Sequence, residues 1–72
     1  EKKLISDQEK ILDYFKIIEK TTKEKEKKDL INFKKALFLI KNLKETEGKK
    51  ILQDLIKGES DYKLIAEEIL KN

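Results

Sequence analysis

Residues 30–43 place nine apolar side chains in fourteen positions: Leu30, Ile31, Phe33, Ala36, Leu37, Phe38, Leu39, Ile40 and Leu43. At about 100° per residue they occupy more than one face of a helix. Leu30, Phe33, Leu37 and Ile40 form two heptads of a and d positions, and Ala36 and Leu43 widen that arc. Ile31 and Phe38 lie roughly 100° away from it, and Leu39 points nearly opposite to Leu37. A surface helix carries one apolar stripe. A helix with this much apolar circumference is expected at the centre of a fold, contacted from two or more sides.

The flanking sequence supplies amphipathic helices for it to pack against. Leu4, Ile11, Phe15 and Ile18 share a narrow arc, with Ile5, Leu12 and Tyr14 on its shoulders, and Gln8 takes one core-like position among them. Ser6 with Glu9, and Thr21 with Glu24, each have the spacing of a capping box. Between Lys20 and Asp29 there is no apolar residue, which predicts a turn at Thr21 and Thr22 and then a solvated helix entry. The i,i+4 pairs Glu19–Lys23 and Glu24–Lys28 support helix on both sides of that break, so one rod from Ser6 to Glu47 stays open as an alternative.

Gly48 and Gly58, the only glycines, are expected to end helices as left-handed C′ residues. Ile51, Leu52, Leu55 and Ile56 then form a short amphipathic helix. Ser60 and Asp61 cap a last one, in which Tyr62, Ile65, Ala66 and Ile69 share a face while Leu64 falls outside it. The expected fold is one all-α domain over residues 1–72. It is a small three- to four-helix bundle with helices at about 4–20, 23–47, 49–57 and 60–71 and the second at its centre.

Composition narrows the chemistry. The 72 residues include no His, Cys, Met, Trp, Pro, Arg or Val, and 18 lysines face 15 acids for a net charge of +3. Without His or Cys, no side chain pairs with Ser6, Ser60 or a threonine to make an activated nucleophile. A structural zinc has no usual ligand set. The carboxylates lack calcium-loop spacing, and neither glycine opens a phosphate-cradling motif. No catalytic residue, cofactor, metal or small-molecule substrate is expected. No run reaches the ~18 apolar residues of a membrane span, so the expected setting is soluble, inside the cell and cytoplasmic. A domain this short buries only about 60–65% of its unfolded surface. Self-association or docking on a larger partner is one remedy, and very regular helix packing is the other.

Function is therefore sought on surfaces. The leading expectation is a non-enzymatic helical protein-interaction module, self-associating or docking on a larger protein through Leu39, Leu64, Ile31 and Phe38, the residues left outside the core stripes. A second expectation is a small nucleic-acid-associated protein. Lys20, Lys27, Lys34 and Lys41 recur every seven residues along one line, and Lys49 and Lys50 form a further cluster; these could hold phosphates or an acidic partner. Residues 51–70 (ILQDLIKGESDYKLIAEEIL) resemble the first two helices of a helix-turn-helix domain, in Gly58, Ser60, Ile65, Ala66, Glu67 and Glu68. That resemblance implies DNA binding through a recognition helix, which residues 51–70 do not include, and no Arg is present among the 72 residues to read guanine. A third expectation, a small inhibitor or immunity-type protein, shares every feature of the first.

Overall fold

The structure, a computed structural model, describes residues 7–71. Four helices follow in order: α1 (Asp7–Thr21), α2 (Lys25–Lys41), α3 (Glu45–Lys57) and α4 (Lys63–Lys71), with no strand among the described residues. The chain is a small all-α bundle. The helix α2 packs on α1 and α3, and α3 packs on α2 and α4. The capping box assigned to Ser6 and the start of the first helix at Leu4 lie outside the described residues.

The central core forms where α2, α3 and α4 meet. Ala36, Leu52, Leu55 and Ala66 are buried there, with Phe33, Ile40, Ile51, Ile56, Ile69 and Leu70 packed around them. Two of the four buried residues are alanines, so helix backbones approach closely and little apolar volume is enclosed. Phe33 stacks on Tyr62 with ring centroids 5.1 Å apart, which closes one edge of the core.

The helix α1 is attached differently. Gln8 donates to the Asn42 side chain at 3.2 Å, the Phe15 and Phe38 rings lie 6.2 Å apart, and Glu19 reaches Lys35 at 3.7 Å. As the α1 numbers rise the partners' numbers fall, so the two helices run antiparallel. Gln8 thus pairs across to the end of α2, and the single continuous rod is excluded by the break at 22–24. Thr21 does not cap α2; its hydroxyl donates back to the Ile17 and Ile18 carbonyls, finishing α1 instead. The N-cap of α2 is Glu24, with extended backbone and no side-chain cap bond. Glu24 pairs with Lys27, and Lys25 with Asp29, in place of the i,i+4 pairs anticipated from the sequence. The hydrogen bond to Asp29 raises the Lys25 pKa. The lysine's share of that pair adds stability at neutral pH that is lost as pH rises through the raised value, and at a fully exposed lysine the effect is small.

Both glycine assignments need correction. The second helix stops at Lys41, six residues before Glu47, and no glycine has a positive φ. The left-handed positions are Leu43 (φ 66°) and Glu59 (φ 52°). After α2, the Lys44 amide donates to Leu39 O and the Leu43 amide to Ile40 O; after α3, Ser60 donates to Leu55 O and Glu59 to Ile56 O. Both are Schellman motifs with a non-glycine at C′. Gly58 sits one place earlier, at the C-cap, and Gly48 lies inside α3, buried against α2. Asn42 supports the first motif by donating its side-chain amide to Phe38 O. The Ser60 hydroxyl accepts the Tyr62 amide, and the Ser60 carbonyl accepts the Lys63 amide, so Ser60 shapes the turn into α4.

Leu43 combines a strained backbone with 92% exposure. The left-handed conformation costs a β-carbon roughly 1–2 kcal/mol, part of which glycine gives back in unfolded-state entropy. Leu43→Gly is accordingly expected to stabilise the fold by about 1 kcal/mol, read from the urea midpoint. A lower midpoint would mean that the leucine side chain packs against the fold after all.

Candidate interaction surface

The wheel positions of α2 explain which apolar residues remain outside. Ala36, Ile40 and Phe33 face α3 and the turn before α4; Phe38 faces α1 through Phe15. The arc between those two contacts, on the Leu30, Leu37, Lys34 and Lys41 side, receives no helix among the described residues, and Leu30 and Leu37 are exposed although both belong to the heptad seam. Leu39, expected to point outward, is 2% exposed. It is buried on the α1 side, beside a groove that Leu12 and Asp13 of α1, Lys35 of α2 and Glu47 of α3 also line. The second apolar face, Ile31 and Phe38, is half-buried because α1 lies along it. Of the four proposed partner contacts only Leu64 is freely exposed.

A further exposed apolar face, of three residues, is on α1. Ile11, Tyr14 and Ile17 are all exposed, Tyr14 and Ile17 to more than 60%. Their i, i+3, i+6 spacing places them within an arc of about 120°, centred on Tyr14. The inward side carries Leu12 and Phe15, Ile18 lies at the border beside Ile11, these three are half-buried, and no residue of α1 is fully buried. The helix therefore carries apolar side chains on more of its circumference than α2, its main neighbour, covers. Sequence reading put Ile11 in the core arc, left Tyr14 on its shoulder and passed over Ile17. The available signal was that Ile17 stands about 100° from Ile18, off the stripe, as Leu64 does in α4.

The lysines do not form one line. Lys20 belongs to α1, and Lys27, Lys34 and Lys41 to α2, all exposed; Lys27 is paired with Glu24 at 3.0 Å. Lys49 and Lys50 lie in the first half of α3, Lys49 half-buried. The segment resembling a helix-turn-helix forms α3 and α4 joined through 58–62. Among the described residues no group of three acids, His or Cys is placed to hold a metal ion, no buried polar side chain lacks a partner, and no helix is long and apolar enough to cross a membrane. Comparison with protein-family models, with curated proteins and with solved structures gives no match to this chain.

Proposed function

We propose that this chain is a non-enzymatic helical interaction module that docks a protein on the outer face of α1. The observation that supports this reading is the exposure of Ile11, Tyr14 and Ile17 on a helix that buries no residue. Aromatic side chains such as Tyr14 bring large contact area at low entropic cost, which is why they concentrate where interfaces are tightest. Leu43 stands alone and Leu64 is joined only by Ile65, which the sequence pattern had set on the core face of α4, so neither makes a patch of three as α1 does. The nucleic-acid reading has less behind it, because the lysine line divides between two helices and one of its members is already paired. An inhibitor or immunity-type role would use the same face and differ only in what is bound.

A photo-crosslinking residue replacing Tyr14 in native cells tests this, with one replacing the exposed Gln53 of α3 as control. Protein adducts are expected at position 14 well above those at position 53. Equal yields at the two positions would remove α1 as the docking face.

A further inference from the structure

We infer that the partner on this face is a second copy of the chain, laid antiparallel along α1 with the two-fold axis beside Tyr14. This rests on the reading of α1 as a docking face and names its occupant.

The first argument is area. A compact monomer of 8.6 kDa exposes about 4,700 Å², whereas this chain exposes 5891 Å². A standard interface covers about 800 Å² on each partner, less than that surplus. The radius of gyration, 13.2 Å, also exceeds the roughly 11 Å of a compact chain of this length, and the thinnest dimension is 12 Å. With helices spaced 8–10 Å apart, the molecule is nowhere more than about two helices deep.

The second argument is self-complementarity, which a two-fold interface requires. A dyad perpendicular to the two helices sets Tyr14 against Tyr14, Ile11 against Ile18 of the other copy, and Ile17 against the stem of Lys10. Each apolar side chain thus meets an apolar surface. Charge selects the direction. The first turn of α1 carries Asp7 and its last turn Lys20, so antiparallel copies bring acidic ends to basic ends and oppose the helix dipoles. A parallel pair would set like ends together. The patch is bordered by both signs, Asp7 and Lys10 among them, which suits a copy of itself better than a partner of one charge.

The native chain has no cysteine, so single cysteines report proximity without background. Under mild oxidation Tyr14→Cys is expected to form a disulfide dimer at least tenfold faster than Gln53→Cys. Asp7→Cys should join Thr21→Cys in a mixture faster than either joins itself. Sedimentation of the unmodified chain from about 10 to 500 µM should show its mass rising toward twice the monomer. Ile17→Asp should abolish that rise with its helical circular dichroism unchanged, since Ile17 is 61% exposed. Monomer mass throughout, or equal disulfide rates at positions 14 and 53, would overturn the dimer. If photo-crosslinking at position 14 still captured a different protein, the docking face would stand and the second copy would fall. Faster self-joining of Asp7→Cys would overturn the antiparallel direction.

Discussion

Leu39→Asp is expected to unfold the chain. A 72-residue domain has of order 4–10 kcal/mol of stability in total, and truncating a buried leucine to alanine alone removes about 2–5 kcal/mol. The carboxylate adds the cost of an uncompensated buried charge, several kcal/mol more, and a short side chain cannot carry it out to water. Its surroundings make matters worse, because Asp13 and Glu47 already line the adjoining groove. Leu39→Lys should be milder than Leu39→Asp, since its long stem can bring an ammonium to those same carboxylates. The expected order of urea midpoints is native, then Leu39→Ala and Leu39→Lys, with Leu39→Asp lacking a cooperative transition at 25 °C. A Leu39→Asp midpoint close to the native one would mean that residue 39 faces water, as the heptad pattern had suggested.

That reversal at Leu39 marks the limit of what periodicity could disclose. The pattern over residues 30–43 carried the true message that α2 is contacted from two sides. It could not say which arcs the neighbours would take, because a wheel describes one helix and burial depends on where others lie. With α3 on the Ala36 side and α1 on the Phe38 side, the space left over falls at Leu30 and Leu37, and the reading of inside and outside is exchanged. The break near Thr21 was legible from the ten residues without an apolar side chain, and the turn at Ser60 from its polar cluster. The end of α2 at Lys41 was not, because its left-handed residue is a leucine in place of the glycine or asparagine that usually signals such a stop. The docking face of α1 was half legible: Ile17 stood off the stripe, but the stripe itself ran through Ile11, which the structure leaves exposed.

Gly48 gives the test in which local preference and packing demand opposite signs. It lies in the first turns of α3, where alanine is favoured over glycine by about 1 kcal/mol, so a reading confined to that helix predicts that Gly48→Ala stabilises. Across the interface, a β-carbon on Gly48 would stand 2.7 Å from Ala36 O and 2.7 Å from Ile40 Cγ1. The isoleucine can turn aside, but the carbonyl is fixed in the α2 backbone. To admit the methyl, α3 must move off α2, and the contacts of Leu52 and Leu55 with the core beyond it loosen together. Overpacking of this kind costs about 1–3 kcal/mol, enough to cancel the helix preference and leave a net loss. Gly48→Leu offers no such compromise. Its side chain cannot enter a backbone-to-backbone contact, so the loss should reach at least about 3 kcal/mol, a large share of the total. Chemical denaturation of both variants decides the matter. A rise in the Gly48→Ala midpoint would show that α2 and α3 do not meet at this glycine, whereas a fall that deepens from alanine to leucine would establish the close approach on which the central core depends.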